Sequence, residues 1–141
     1  MITGLHHVNL VVPRGTLSEA SAFYEGTLGL TPRAVPAAQV GTLLWYDIAN
    51  SGQQVHIAFG APSDFEPEVS RSRRHPCFRV ADGEQLIALR KRIHEHLVKG
   101  GTGAPMEADE PGQENSGAKG EEYPQRFFAR DYAGNRLEFT L

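Results

Sequence analysis

The stretch that decides the fold runs from His7 to Val12 and reads HVNLVV. Its side chains alternate, so Leu10 and the valines two positions away share one face while His7 lies on the other, as in a half-buried β-strand. Residues 74–80, RHPCFRV, repeat this alternation with His75 in the phase of His7. The chain is therefore predicted to contain two similar halves, each opened by a strand that carries a histidine.

Each opening strand is followed by signals for a helix and then for further strands. Residues 16–19, TLSE, and residues 82–85, DGEQ, both have the spacing of a capping box, in which the first side chain accepts from a first-turn amide. Gly29 and Gly100 suit the ends of the two helices. The remaining predicted strands lie near residues 33–36, 42–48 and 53–59 in the first half, and near 104–108, 126–130 and 136–141 in the second.

The order of these elements predicts an α+β fold of two βαβββ modules, which form an open, cupped, mixed β-sheet with flanking helices. We place module one at about residues 1–62 and module two at about residues 72–141 of a single domain. A long loop at about residues 109–124, rich in glycine and glutamate, interrupts module two. Loops of this kind often form pocket walls, so we expect this one to influence substrate choice.

The composition argues against several classes of function. The chain of 141 residues carries a net charge of −3, and its 14 lysines and arginines are scattered outside a short cluster at residues 71–74, so nucleic acid is not a favoured partner. There is no run of about 18 apolar residues that could span a membrane. The single cysteine, Cys77, leaves no internal disulfide framework and favours a reducing, cytoplasmic location. Any metal would have to be held by histidines and carboxylates.

Each half also ends with a strand that carries a potential metal ligand. His56 lies between Val55 and Ile57, and Glu138 lies between Leu137 and Phe139. An ionised glutamate in such an apolar strand costs several kcal/mol if it has no partner, so Glu138 needs a cation, a proton or an arginine. Imidazoles and a carboxylate suit Mn, Fe, Co, Ni or Zn, and three protein ligands leave positions open for substrate.

Three motifs that span nearly the whole chain resemble the vicinal oxygen chelate superfamily. They are HVNLVV at residues 7–12, FYEGTLGL at residues 23–30 and RDYAGNRLE at residues 130–138. This superfamily includes glyoxalase I, methylmalonyl-CoA epimerase, fosfomycin and bleomycin resistance proteins and extradiol dioxygenases. The resemblance implies paired βαβββ modules that form a cupped sheet around one divalent metal ion (Zn, Ni, Co, Mn or Fe).

The resemblance also implies a ligand set. His7, His75 and Glu138 match the family's three metal ligands, and His56 matches a position that is a ligand in some isomerases and epimerases but not in the dioxygenases. Glu138 or His56 would transfer protons beside the metal. Taken by themselves, His6 is expected to face away from His7 and to be structural, and Cys77 is expected to behave as a small hydrophobe.

From these observations the chain is predicted to be a metal-dependent, glyoxalase-like lyase, isomerase or epimerase. Its substrate would be a small carbonyl or oxygen-rich molecule, chelated through neighbouring oxygens. Two alternatives stay open: a non-haem iron dioxygenase of the extradiol type, and a metal-free small-molecule binding or resistance protein on the same fold. Analogy with the family favours a homodimer, with the metal site either inside one chain or shared between two.

Overall fold

The computed structural model describes residues 1–117 and 125–141. Module one contains β1 (His7–Val12), α1 (Leu17–Ala20, continued by a π-helix, Ser21–Thr27), β2 (Thr31–Arg33), β3 (Leu43–Asp47) and β4 (Gln54–Phe59). A linker with a short helix, α2 (Pro67–Ser70), leads into module two. Module two contains β5 (Cys77–Arg79), α3 (Gly83–Lys99), β6 (Glu107–Ala108), β7 (Arg126–Arg130) and β8 (Arg136–Thr140).

The two modules repeat the same sheet topology. Within the described residues, one four-stranded sheet has the order β1-β4-β3-β2 and the other has the order β5-β8-β7-β6. The opening strand of each module pairs in parallel with the closing strand, and the other pairs are antiparallel. The predicted α+β fold of two βαβββ modules is therefore confirmed, with β1 and β5 each at an edge of its own sheet.

Both modules contribute to one apolar core, which explains why the helices have the apolar spacing seen in the sequence. Phe23 on the first helix and Ile93 on α3 are completely buried, and the apolar face of β1 is buried as predicted. The buried cluster joins side chains from the two sheets, including Val12, Tyr46, Ile57, Phe127 and Leu137. The faces of β1 and β4 opposite this core are left to carry polar side chains.

The turn between β7 and β8 fastens the two modules together. Asp131 is fully buried and accepts hydrogen bonds from the Tyr24 hydroxyl (2.6 Å), from the backbone amides of Ala133 and Asn135, and from the Asn135 side chain. The Asn135 amide also donates to the carbonyl oxygen of Val11 on β1 (2.8 Å). The sequence predicted a hairpin turn here, and the structure adds that Asn135, one residue before β8, is hydrogen-bonded to β1 of the other module.

Three local predictions differ from the structure. The first helix has no capping box, because the Thr16 hydroxyl donates to the carbonyl oxygen of Pro13 (2.7 Å) instead of serving a helix amide. β2 lies at Thr31–Arg33 and not at 33–36, since an edge strand tolerates Pro32. β5 begins only at Cys77, because Pro76 has no amide hydrogen to donate.

Other predicted boundaries agree closely with the structure. Asp82 caps α3 by accepting from the Gln85 amide (2.8 Å), and α3 ends before Gly100. The hairpin of β7 and β8 and the short β6 are also present. The predicted loop at 109–124 is described only as far as residue 117, since residues 118–124 lie outside the described residues. None of the helices in the described parts of the chain is long and apolar enough to cross a membrane.

Candidate functional site

The four predicted ligands form two pairs, one in each module. In module one the rings of His7 and His56 stack with centroids 4.1 Å apart and an interplanar angle of 11°. In module two His75 Nε2 lies 2.8 Å from Glu138 Oε2. Within residues 1–117 and 125–141, a single chain has no group of three or more His, Cys, Asp or Glu side chains arranged to hold a metal ion. Each module thus supplies two of the four predicted ligands.

The hydrogen bonds of His75 fix the form of its ring. His75 Nδ1 lies 2.6 Å from the carbonyl oxygen of Arg73, and a carbonyl can only accept, so Nδ1 carries a proton and donates it. In the neutral imidazole, Nε2 is then a lone pair that faces the Glu138 carboxylate. Two acceptors at 2.8 Å repel each other unless a proton or a metal cation is bound there, so the pair requires a positive charge.

Arg126 and Cys77 are two other close neighbours of Glu138. It is 7% exposed, and its Oε1 accepts from Arg126 Nη1 at 3.1 Å, which offsets the cost of burying a carboxylate. Cys77 lies directly opposite Glu138 in the parallel register of β5 and β8. Burial first, and then the Glu138 charge, raises the pKa of the Cys77 thiol to about 11. The thiol is therefore protonated near neutral pH, which argues against a nucleophilic role.

A chain of hydrogen bonds orients His56 in module one. Gln54 Nε2 donates to Asp47 Oδ1 (2.8 Å), so the amide oxygen of Gln54 faces His56 Nε2 at 2.9 Å and accepts its proton. His56 Nδ1 is left as the lone pair. Burial, followed by the nearby His7 and His6, lowers the pKa of His56 and favours the neutral ring that metal ligation or proton abstraction needs.

Gln54 and Trp45 are site residues that sequence reasoning missed or left open. Gln54 lies two residues before His56 on the same strand, and this spacing alone would have predicted that the two side chains share a face. The Trp45 ring stacks on His56 with centroids 4.8 Å apart, while the neighbouring Tyr46 is buried in the core. These two adjacent residues of β3 therefore face opposite sides of the sheet: Tyr46 packs in the core and Trp45 packs against His56.

Two further histidines, His6 and His96, lie outside the proposed ligand set. His6 is exposed, and its Nδ1 lies 3.0 Å from His7 Nδ1, so the prediction that it faces away from His7 as a structural residue is wrong. The reason is that β1 begins only at His7, so strand alternation does not govern His6. On α3, His96 is half-buried and bonds the Thr27 hydroxyl (2.7 Å), which ties the two helices together.

An aromatic ring on the second sheet lies beside the His75–Glu138 pair. Phe128 is directly opposite Glu138 on β7, and its ring meets His75 edge-on with centroids 5.6 Å apart. The guanidinium carbons of Arg136 and Arg126 lie 4.3 Å and 5.4 Å from the ring centroid. Burial, and then Arg130 and Arg73, lower the pKa of Arg136. The pair is thus bordered by a face on which positive charge predominates.

The described part of the long loop covers this face. Arg90 on α3 donates to the carbonyl oxygens of Asp109 (3.2 Å), Glu110 (2.7 Å) and Gln113 (2.8 Å). The loop then brings Gly117 against the ring of Phe128. The described part of the loop therefore lies against the ring of Phe128 beside the site, and its expected influence on substrate choice stays a prediction.

A groove of about 1510 Å³ separates the edge strands of the two modules. Its walls include both β1 and β5, and His7 and His75 both line it. β1 is hydrogen-bonded only to β4, and β5 only to β8, among the described strands. The two histidines therefore lie beside unpaired strand edges that open onto a common space.

Comparison with known proteins shows the family of this chain. The family model described as "Glyoxalase/Bleomycin resistance protein/Dioxygenase superfamily" matches residues 4–139. The chain belongs to this superfamily. The match covers both modules of this glyoxalase-superfamily chain, so the resemblance predicted from its three motifs is confirmed. A search of curated proteins found no significant match.

Solved structures of the superfamily share the fold over nearly the whole chain. A glyoxalase family protein from Bacillus anthracis is 25% identical and has a TM-score of 0.67, covering 99% of this chain and 94% of that one. The fosfomycin resistance protein FosX from Listeria monocytogenes is 18% identical with a TM-score of 0.69, covering 99% and 91%. A glyoxalase/dioxygenase from Nostoc punctiforme is 20% identical with a TM-score of 0.64, covering 96% and 88%. One FosX structure contains Mn(II) and 1S,2S-dihydroxypropylphosphonic acid.

Proposed function

We propose that this protein is a metal-dependent, glyoxalase-like lyase, isomerase or epimerase, and that His7, His75 and Glu138 hold its divalent metal ion. The observation that carries the proposal is the His75–Glu138 contact at 2.8 Å, in which Nε2 of the imidazole faces a buried carboxylate and either a proton or a metal cation must lie between them. Superfamily membership and the Mn(II) in a FosX structure support a divalent metal as that cation.

The donor set fits such an ion. His75 presents Nε2 because its Nδ1 is bound to a backbone carbonyl, an arrangement that commonly orients metal-binding histidines. Glu138 retains lone pairs on both oxygens beyond its contacts with His75 and Arg126. Two imidazoles and a carboxylate suit Mn, Fe, Co, Ni or Zn and leave coordination positions open.

We further propose that the metal site is shared between two copies of the chain. His7 and the His75–Glu138 pair lie on different sheets, each beside an edge strand whose outer backbone groups have no partner among the described strands. Unpaired strand edges readily accept a further strand. In a two-fold dimer, β1 of one copy would meet β5 of the other, and symmetry would create two equivalent sites.

When bound, the metal ion would act as a Lewis acid that chelates two neighbouring substrate oxygens and stabilises negative charge on them. His56 is the candidate general base, because Gln54 holds the proton at Nε2 and leaves the Nδ1 lone pair free to accept one. Its lowered pKa keeps that lone pair available at neutral pH. Trp45 stacks against the ring and restricts its rotation. Glu138 is the other candidate proton carrier, if it leaves the metal.

A dioxygenase reaction is the second candidate. Two histidines and one carboxylate form the facial triad of non-haem iron oxygenases, and His56 Nε2 is already engaged by Gln54, which favours a set of three ligands without His56. Iron in the isolated protein would support this reaction over the isomerase group.

Elemental analysis of protein purified without chelators or added metal tests the proposal. We expect about one divalent ion per chain, as in other sites with three protein ligands. His75→Ala and Glu138→Gln should lose the ion, whereas His94→Ala, which removes an imidazole from α3, should retain it. Circular dichroism establishes that each variant is folded. A metal-free wild type would support the binding-protein alternative, and a His75→Ala variant with wild-type metal content would contradict the ligand set.

A further inference from the structure

Arg136 and Glu138 face the same way on β8. They are two residues apart, so their Cα atoms lie about 7 Å apart along the strand and their side chains project from the same side of the sheet. The antiparallel register places Arg130 opposite Arg136 and Phe128 opposite Glu138. A ligand held at Glu138 therefore extends naturally toward Arg136.

Arg136 differs from its neighbours in lacking an acceptor. Arg126 donates to Glu138, and Arg130 donates to Glu107 and to two backbone carbonyl oxygens. Arg136 makes neither a hydrogen bond nor an ion pair through its side chain with any residue that the structure describes, and it stacks over Phe128 at 4.3 Å. The ring orients the guanidinium group without satisfying its five N–H donors.

A pocket of about 290 Å³ lies next to this guanidinium group. Arg136, Phe128 and Ser116 are among its lining residues. The two carboxylates in its wall are directed to other donors: Asp109 accepts from the amides of Ser116 and Phe128, and Glu107 accepts from Arg130. Arg136 also lines the large groove that contains His75. It therefore stands where the small pocket and the groove meet.

We infer that Arg136 binds an anionic group of the substrate, such as a carboxylate, phosphate or phosphonate, while the other end of the substrate reaches the metal. This inference rests on the proposed function, since it names the substrate class of the same site. The geometry favours a small molecule that spans from the proposed metal position at Glu138 to the Arg136 guanidinium group, on residues whose Cα atoms lie about 7 Å apart. A planar guanidinium group favours bidentate hydrogen bonding to such an anion.

Calorimetric titration of metal-free protein with inorganic phosphate, and separately with acetate, tests the inference. The variants are Arg136→Gln, Arg136→Lys and the control Arg33→Gln, which removes the same charge from β2 of the other module. Because charge-assisted hydrogen bonds are strong, Arg136→Gln should weaken anion binding by about tenfold or more. Arg136→Lys should retain part of the affinity, and Arg33→Gln should retain all of it. The tighter of the two anions identifies a phosphorus oxyanion or a carboxylate as the recognised group.

Failure of this inference can be distinguished from failure of the proposed function. The titrations contain no metal, so a wild type that binds no metal leaves the anion result intact. Wild-type protein that binds neither anion, or equal losses in Arg136→Gln and Arg33→Gln, would overturn the inference. Metal content measured in parallel should be the same in Arg136→Gln and wild type. Loss of metal from Arg136→Gln would mean that Arg136 stabilises the metal site, and this result would also overturn the inference that Arg136 binds the anionic group.

Discussion

Replacing Asp131 with asparagine tests whether the β7–β8 turn fastens the two modules. Asp131 Oδ1 accepts from the amides of Ala133 and Asn135, and Oδ2 accepts from the Tyr24 hydroxyl and the Asn135 side chain. An asparagine keeps only one acceptor oxygen. The NH2 group of the new asparagine fits best at the Oδ2 position. There the Tyr24 hydroxyl can turn and accept a hydrogen bond from it, but the Asn135 side-chain amide is itself a donor and would lose its acceptor.

The size of the effect follows from these contacts. One hydrogen bond to a charged acceptor is lost, and one buried donor is left unsatisfied, and each of these typically costs about 1 to 3 kcal/mol. Removal of a buried charge offsets part of this loss in stability, because burial disfavours the ionised carboxylate and raises the pKa of Asp131. We therefore expect the free energy of unfolding to fall by about 3 kcal/mol, which lowers Tm by roughly 10 °C for a domain of this size.

Urea unfolding followed by the fluorescence of Trp45, the single tryptophan, measures this change. Protein concentration must be held fixed, because the stability of a dimer depends on it. Asp82→Asn is the matched control: Asp82 caps α3 at an exposed position, where asparagine caps equally well, so its change should stay within about 0.5 kcal/mol. Equal stabilities for Asp131→Asn and wild type would refute the structural role of the turn.

Three further predictions concern the site and its wall. With a pKa of about 11, Cys77 should react with iodoacetamide at pH 8 on the order of a hundredfold more slowly than an ordinary thiol, and Glu138→Gln should speed the reaction in metal-free protein. The folded state lowers the pKa of His56, so below the ordinary value of 6.5 the unfolded state binds more protons and the free energy of unfolding falls. Between pH 7.5 and 5.5, metal-free His56→Gln should therefore lose less free energy of unfolding than metal-free wild type, as measured by chemical denaturation. Arg90→Met removes three hydrogen bonds to the loop and should increase cleavage by a glutamate-specific protease within residues 109–117 roughly tenfold, whereas Arg92→Met, which loses a single long contact to Leu28, should not.

Periodicity predicted the fold because the buried faces dictate it. The apolar alternation of β1, the helical spacing of Phe23 and Ile93, and the repeat of both patterns correspond to side chains that are buried in the structure. Boundaries that depend on single hydrogen bonds were harder to predict. Thr16 satisfies a loop carbonyl where a capping box was expected, and this choice depends on tertiary contacts with Tyr132 that no local pattern contains.

The sequence also predicted which residues belong to the candidate site better than how they meet. The family resemblance implied that Glu138 and His75 lie together, and the structure has them 2.8 Å apart, although His75 precedes β5. The separation of His7 from this pair could not be derived, because it depends on how one edge strand faces another and not on alternation within a strand. Arg136 shares the phase of Glu138, but its lack of an acceptor becomes visible only when the contacts of Arg126 and Arg130 are known.

The most direct test of the account is metal binding by a mixture of two inactive site variants. His7→Ala and His75→Ala, unfolded and refolded together in equal amounts, should each lack metal alone but regain about a quarter of the wild-type content in the mixture, since half of the dimers would contain one intact shared site. A mixture of His75→Ala with Glu138→Gln damages both sites in every dimer and should regain none. If the first mixture holds no more metal than its separate components, a site built from His7 of one copy and His75 and Glu138 of the other is contradicted.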